Sequence, residues 1–262
     1  NNLFSLINTL KAQQEYGINR LIFSSSATVY GNPSTMPITE DAPTQRSFSP
    51  YGNTKKMAEE ILEDFTNSTS EISVISLRYF NPIGAHESGQ IGEFPTGVPN
   101  NLMPYITQTA AGIREKLMVF GNDYPTKDGT PIRDYIHVVD LAKAHVVALS
   151  RLLENKNESN YEIFNLGTGT GSSVIEAILA FEKVMNSDPI SDPDLSPHRV
   201  NFHKLKENKK VISSIKDMRK KYFAKNKFPL NNHMVVVYYY YNLLCSYIDL
   251  DRTKMILDIG PG

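Results

Sequence analysis

The 262 residues suffice for one large α/β domain or two small ones, and the 27 Lys and Arg nearly balance the 28 Asp and Glu for a formal net charge of -1. No basic block is dense enough to serve as a footprint for nucleic acid or a membrane surface, so small-molecule chemistry is expected. The single cysteine, Cys245, excludes an internal disulfide framework and fits a reducing compartment, read here as the cytoplasm. No signal peptide is visible at Asn1, Asn2, Leu3 and Phe4. The longest apolar run, residues 234–245, is about 12 residues interrupted by Asn242, where a bilayer needs roughly 20, so no membrane span is expected.

In chain order, Leu3, Leu6, Ile7 and Leu10 follow the spacing of an amphipathic helix, with Gly17 suited to the position just past its end. Leu21, Ile22 and Phe23 read as a buried strand that ends in Ser24, Ser25 and Ser26, followed by a loop through Ala27, Thr28, Val29, Tyr30 and Gly31. A second helix opens with Ser49 as N-cap and Pro50 in first position. Its Tyr51, Lys55, Ala58 and Leu62 share one face, with Met57, Ile61 and Phe65 beside it. Residues 72–80 form a β-rich run too apolar to alternate, as in a strand covered on both faces, and Asn81-Pro82 ends it.

Residues 84–101 are Gly-, Pro- and polar-rich and predict a long loop of the binding or lid kind. A helix over 102–112, a short strand over 117–120, a turn-rich excursion over 121–130 and a strand over 133–138 follow. Asp140 is expected to cap the next helix, which carries Leu141, Ala142, Val146, Val147 and Leu149. A strand over 161–166 and a helix over 173–184 complete an alternation typical of βαβ units on a parallel sheet. Beyond Met185 the character changes. Prolines punctuate a polar stretch, then a Lys/Asn-rich segment leads to four consecutive tyrosines, and 248–257 is compatible with one more strand.

The chemistry concentrates in residues 21–55. Hydroxyls at the carboxyl end of a parallel strand stand where open α/β sheets bind ligands. Tyr51 and Lys55, one helical turn apart, are neighbours on a helix surface. A charge separation of about 5 Å at an effective dielectric of about 20 gives roughly 3 kcal/mol of attraction, enough to bring a phenol toward the range of a general base. Either element alone is ordinary, a turn or a surface pair; together and in this order they predict acid/base machinery. The histidines His86, His137, His145, His198, His203 and His233 show no close metal-ligand spacing with a carboxylate or thiol, and no metal is expected.

Several strings resemble the UDP-sugar 4-epimerases of the extended short-chain dehydrogenase/reductase family: SSSATVYG from Ser24, SPYGNTK from Ser49, LRYFNPIGAH from Leu77, PNNLMPYI from Pro99, FGNDYPTKDGTPIRDYIHVVDLA from Phe120 and NLGTGTGSSV from Asn165. The resemblance runs almost continuously from Asn1 to about Val184. It implies an α/β fold: a partial Rossmann-like parallel sheet with helices on both faces, lacking its first βαβ units, plus a smaller α/β substrate-binding part. Residues 1–84 and 137–166 would belong to the NAD-binding part, 85–136 and 167–184 to the substrate-binding part, and 185–262 to a divergent tail.

By position, the resemblance makes Tyr51 the catalytic base, Lys55 the group that lowers its pKa and holds the nicotinamide ribose, and Ser26 the hydroxyl bridging tyrosine and sugar. Asn1 and Phe80, with Ser26, Tyr51 and Lys55, would contact NAD. Thr28, Asn81, Asn101, Leu102, Phe120 and Arg133, with Ser26 and Tyr51, would surround a UDP-sugar. The residue types suit those roles, since Arg133 offers a planar fork to a diphosphate and asparagines supply donors and acceptors. The implied reaction is epimerisation of UDP-glucose and UDP-galactose at C4 through a 4-keto sugar, by a protein that pairs as a homodimer. Related dehydratases carry an Asp-Glu pair where Ala27 and Thr28 stand, so dehydration is not expected. Gly167, Gly169 and Gly171 lack G-x-G-x-x-G spacing and match a structural turn of the family.

Two departures from the family shape the expectations. Its opening βαβ unit, with the pyrophosphate-binding glycines and the acidic residue for the adenosine ribose, does not precede Leu21, so an unpaired edge is expected beside that strand. Its arginine-x-x-aspartate clamp on UDP is not found after Val184, and only residues 247–259 resemble the segment that follows it. Two readings stand: the catalytic and sugar-facing portion of an NAD-dependent epimerase, or a non-catalytic fragment of one, unable to hold NAD. Another nucleotide-sugar enzyme of the family is a third. The 262 residues alone are expected to show little or no turnover.

Overall fold

The computed structural model describes residues 2–86, 91–93, 95 and 97–184, together with the backbone of 199–200 and 256–258. The expectations for Asn1, Cys245, the apolar run and most of the tail lie outside these residues. Its elements in order are α1 (Asn2–Tyr16), β1 (Arg20–Ser26), a 3-10 turn (Ala27–Tyr30), α2 (Pro50–Asn67), β2 (Ser73–Tyr79), β3 (Asn81–Ile83) and α3 (Leu102–Ala110). Then come β4 (Leu117–Met118), β5 (Ile132–His137), α4 (Val138–Leu153), β6 (Tyr161–Leu166), β7 (Gly171–Ser173), α5 (Val174–Val184), β8 (Arg199–Val200) and β9 (Ile256–Asp258). The chain divides into two units, Asn1–Pro82 with Val139–Gly169 and Leu230–Gly262, and Ile83–Val138 with Thr170–Pro229.

The first unit holds a four-stranded sheet in the order β6-β2-β1-β9, parallel throughout. Its strands read as apolar runs because alternate residues face different helices. Leu21, Phe23 and Val74 pack with Leu6 and Leu10 of α1 and with Ala58 and Leu62 of α2. Ile22, Ile75 and Leu77 pack with Ala148, Leu149 and Leu152 of α4. Helices on both faces of a parallel sheet are the arrangement the apolar runs predict. The edge expected to lie bare beside Leu21 is covered over three residues, with Leu21, Ile22 and Phe23 in register with Ile256, Leu257 and Asp258.

Several local expectations shift. Ile7 of α1 is exposed, and Gln13 is fully buried in the helix instead, its Nε2 donating to the Arg20 carbonyl at 3.2 Å. The serines lie inside β1, all three buried, because β2 continues to pair with them as far as Ser26 opposite Tyr79. The segment after β1 is a 3-10 turn capped by the Ser26 side chain. α4 begins at Val138, which leaves Asp140 in its first turn, where a carboxylate still favours the helix dipole. Met57 of α2 is exposed.

In the second unit β5 pairs antiparallel with β7, and β4 antiparallel with β8. Its core joins Ile106 and Ala110 of α3, Leu117, Val119 and Ile178 of α5. These short antiparallel pairs lie outside the parallel sheet: half of β5 is exposed, so it carries no two-face apolar run. No described helix is long and apolar enough to cross a membrane.

Candidate active site

The site grows from the first turn of α2. Ser49 Oγ accepts the Gly52 N–H at 3.0 Å, and Pro50 follows the cap. Asn53 grips Ser47 from both sides, its Oδ1 accepting the Ser47 N–H at 2.9 Å and its Nδ2 donating to the Ser47 carbonyl at 3.0 Å. Gly52 admits this close approach: a Cβ built on it would stand 2.2 Å from Ser47 Oγ and 3.1 Å from Thr28 Cβ. Thus the loop before α2 and the turn after β1 close around the residue that follows Tyr51.

Each serine of β1 meets a residue of α2, and two of them meet a second partner elsewhere. The Ser24 carbonyl accepts Lys55 Nζ at 2.7 Å, and the Lys55 side chain is buried with 1 % of the residue exposed. Ser24 Oγ lies 3.2 Å from His145 Nε2, while His145 Nδ1 lies 2.8 Å from the Leu141 carbonyl. A carbonyl only accepts, so the proton belongs on Nδ1 and Ser24 donates to Nε2. Burial pushes the His145 pKa down, the Leu141 bond opposing it, which keeps the ring neutral. Ser25 Oγ donates to Glu59 in a short hydrogen bond. Ser26 Oγ accepts from the Thr28 N–H at 3.3 Å and from Thr28 Oγ1 at 3.0 Å, which leaves its own proton for Tyr51.

The expected lowering of the Tyr51 pKa is not what this structure gives. Burial pushes the phenol above its ordinary value, and the hydrogen bond from Ser26 offsets only part of that. The Lys55 ammonium stands 5.7 Å from the Tyr51 ring centre and 5.0 Å from that of Phe23, with one proton given to the Ser24 carbonyl. The cost of desolvating a phenolate outweighs a favourable charge that is itself shared with a backbone carbonyl. The geometry holds nonetheless: phenol, ammonium and hydroxyl meet at the end of β1.

Among the remaining site expectations, Thr28 is exposed beside Ser26, and Asn81 is exposed at the start of β3. Phe80 is half-buried with its N–H on the Leu166 carbonyl at 3.0 Å. Asn1 lies outside the described residues. So the first unit brings Ser26, Thr28, Tyr51 and Lys55 together. The second unit carries the other four. Asn101 precedes α3 without a side-chain cap bond and donates to Glu93 Oε1 at 2.6 Å. Leu102 packs against the unit core. Phe120 is 82 % exposed, which excludes a core ring, and Arg133 is exposed with Nη1 on the Ile132 carbonyl at 2.8 Å.

Sequence reasoning missed the buried charges behind the site. Glu59, one turn beyond Lys55, forms an ion pair with Arg78 of β2 at 2.6 Å, both side chains nearly inaccessible. The signal was available: Arg78 interrupts an apolar strand, and Glu59 shares the buried side of its helix with Ala58 and Leu62. Two opposite charges at apolar positions point to each other, because neither is tolerated there alone.

A parallel sheet covered on both faces, with strand-end hydroxyls against a Tyr-x-x-x-Lys helix, defines the extended short-chain dehydrogenase/reductase class. The profile of the NAD dependent epimerase/dehydratase family matches residues 1–167, and the chain belongs to that family. It is 57% identical over 188 residues to UDP-glucose 4-epimerase of Bacillus subtilis, covering 72% of this chain and 54% of the relative. With UDP-glucose 4-epimerase 2 of Arabidopsis thaliana it shares 55% over 183 residues, 70% of this chain and 51% of the relative. The chain thus spans about half the length of these relatives.

Among solved structures, UDP-glucose 4-epimerase of Bifidobacterium longum in complex with NAD+ and UDP aligns with a TM-score of 0.68 at 47% identity, over 71% of this chain and 55% of that one. The Stenotrophomonas maltophila enzyme with bound NAD and formylated UDP-arabinopyranose aligns at 0.69 and 40% identity, over 84% of this chain and 70% of that one.

Proposed function

We propose that this chain carries the catalytic and sugar-facing portion of an NAD-dependent UDP-glucose 4-epimerase, interconverting UDP-glucose and UDP-galactose. The observation that carries the reading is the meeting of Tyr51, Ser26 and the buried Lys55 at the carboxyl end of β1. The relatives named above support it by their activity, and the two solved relatives by the NAD and UDP compounds bound to them.

A phenol, an ammonium and two hydroxyls form a donor set that fits the nicotinamide-ribose end of NAD, whose diol both gives and accepts hydrogen bonds. When bound, NAD supplies a hydride acceptor for the sugar C4 and is unchanged over the full cycle. Lys55 holds the ribose and keeps a positive charge near Tyr51. The Lys55 charge and the Ser26 hydroxyl act against the burial that raises the Tyr51 pKa, so that Tyr51 in its ionised form takes the proton of the sugar 4-hydroxyl and returns it, and Thr28 orients Ser26. Asn1 and Phe80 line the cofactor. Asn81, Asn101, Leu102, Phe120 and Arg133 bind the UDP-sugar, with Arg133 on the diphosphate and Phe120 on the uridine. The first unit is then the cofactor-binding part, and the second the substrate part.

The intact protein acts in the cytoplasm as a homodimer. Phe4 and Ile7 of α1 and Met57 of α2, exposed apolar residues on two helices of the first unit, support pairing.

The test is a chimera in which residues 1–184 replace the matching stretch of the Bacillus subtilis relative, assayed with UDP-galactose beside the 262-residue chain itself. The chimera is expected to epimerise, and Tyr51→Phe to abolish turnover while NAD stays bound. A folded chimera with NAD bound and no epimerisation overturns the proposal.

A further inference from the structure

A polar knot lies behind the site, wholly inside the first unit. Glu59 of α2 accepts three hydrogen bonds from Arg78, two from Nε at 3.0 and 3.2 Å and one from Nη2 at 2.6 Å, and a fourth from Ser25 of β1. Arg78 Nη1 donates to the Tyr30 hydroxyl at 2.9 Å and to the Glu40 carbonyl at 3.3 Å, and its guanidinium stacks 4.8 Å from the Tyr30 ring centre. Tyr30 passes the chain on to Asn165 Oδ1 of β6 at 2.7 Å, and Asn165 is in turn held by Glu40 Oε1 and by the Ile38 carbonyl. Burial disfavours the Arg78 charge, but the hydrogen bond and charge of Glu59, with Tyr30, more than compensate and raise its pKa. Glu59 and Arg78 are 5% and 3% exposed, so each is held in a single geometry by the other.

We propose that Glu59 and Arg78 are positioning residues for the reaction assigned to this site. They fix the rotation of α2 on β1 and β2 and thereby align Tyr51 with Ser26. The reason is spacing. Tyr51, Lys55 and Glu59 follow at i, i+4 and i+8 on one stripe of α2, and the three consecutive serines of β1 receive them: Ser26 meets Tyr51, the Ser24 carbonyl meets Lys55, and Ser25 meets Glu59. The first two contacts come from a half-exposed phenol beside Ser26 and from a long ammonium side chain on a backbone carbonyl. Glu59 alone is clamped by a bidentate guanidinium, the strong and directional kind of bond. Helix rotation that spares Glu59 is therefore small, and the phenol two turns away inherits that limit. Buried ion pairs seldom add net stability, which leaves geometry as the gain to look for here.

The inference rests on the proposed function for its meaning, but its test needs no turnover. The 262-residue chain is labelled with 13Cζ-tyrosine, and the Tyr51 resonance, which senses the hydrogen bond at its oxygen, is identified at neutral pH by its loss in Tyr51→Phe. Ser26→Ala defines where that resonance falls when the hydrogen bond from Ser26 is gone. The apolar pair Glu59→Leu with Arg78→Met, matched roughly in volume so that packing survives, is expected to move the resonance most of the way to that position. Ser25→Ala, a milder change that leaves the ion pair in place, moves it part of the way. Adding Ser26→Ala to the apolar pair gives little further shift. A purely structural knot would lower the urea midpoint and leave the resonance where the parent has it. That outcome in either folded variant, or full additivity with Ser26→Ala, overturns the proposal whether or not the chimera epimerises.

Discussion

Gly52→Ala is the sharpest test of how the catalytic helix is seated. In an ordinary helix the change stabilises, by about 0.5–1 kcal/mol, because glycine loses the most backbone freedom on folding. Here the new methyl would lie 2.2 Å from Ser47 Oγ, 2.5 Å from Ser47 Cβ and 3.1 Å from Thr28 Cβ. The Ser47 side chain cannot simply turn aside, since its Cβ is fixed by a backbone that Asn53 holds at both N–H and carbonyl, and its Oγ accepts the Ser49 N–H at 3.3 Å. Overpacking of this kind costs about 1–3 kcal/mol. Subtracting the propensity gain from the middle of that range leaves a net loss of about 1 kcal/mol, which for a urea slope of about 2 kcal/mol/M lowers the midpoint by roughly 0.5 M. The strain is relieved by displacing the first turn of α2, and Tyr51 with it, so the chimera should also lose about a hundredfold in kcat, the usual cost of a displacement near 1 Å. Ser47→Gly in the same chain opens the space and recovers part of the midpoint. A Gly52→Ala chain with a midpoint equal to or above the parent's would refute this account of the turn.

Leu62→Ala should cost about 3 kcal/mol, since the side chain is wholly buried among Leu6, Leu10 and Ala58, whereas Leu62→Met should cost less than about 1.5 kcal/mol; urea unfolding separates the two, and equal midpoints would contradict the packing described. His145 gives a pH dependence of definite sign. Its folded pKa lies below the ordinary value of about 6.5, so the unfolded chain takes up a proton first as pH falls. The stability it confers is present above about pH 6.5 and is lost as pH drops from there toward the folded pKa. Comparing urea midpoints at about pH 7.5 and about pH 5.5, His145→Gln should shrink the parent's loss on acidification, and an unchanged loss would show that another group is responsible.

How much of this was legible in the chain depends on how local the cause was. β6 and the start of α2 stand where the sequence puts them, because Ser49-Pro50 is a strong start signal and residues 161–166 alternate with helices on either side. The strand that bears the serines runs three residues further than its apolar part, since backbone pairing with β2 does not depend on which side chains follow Phe23. The antiparallel pairing of β5 with β7 was not legible at all: three residues of β7, two of them serine, carry almost no periodicity, and their partner is set by tertiary contact. The sign of the Tyr51 shift was misjudged for a related reason. Helical spacing shows that Lys55 is near, but not that the phenol is buried, and burial decided the balance.

Polar residues at the end of a doubly covered strand pose a problem that has few solutions. Each of Ser24, Ser25 and Ser26 is buried, and a buried hydroxyl without a partner is costly, so each must draw a group from a neighbouring element. α4 supplies His145 to one, α2 supplies Glu59 to the next, and Thr28 with Tyr51 satisfies the last. The last of these hydroxyls faces Tyr51, and the backbone carbonyl of the first accepts from Lys55. A site of this kind resists drift because any rotation of α2 breaks several hydrogen bonds at once in a region of low dielectric, where each is worth more than in water. The positional accuracy that acid/base chemistry requires therefore follows from the polar character of one strand end rather than from the catalytic residues themselves.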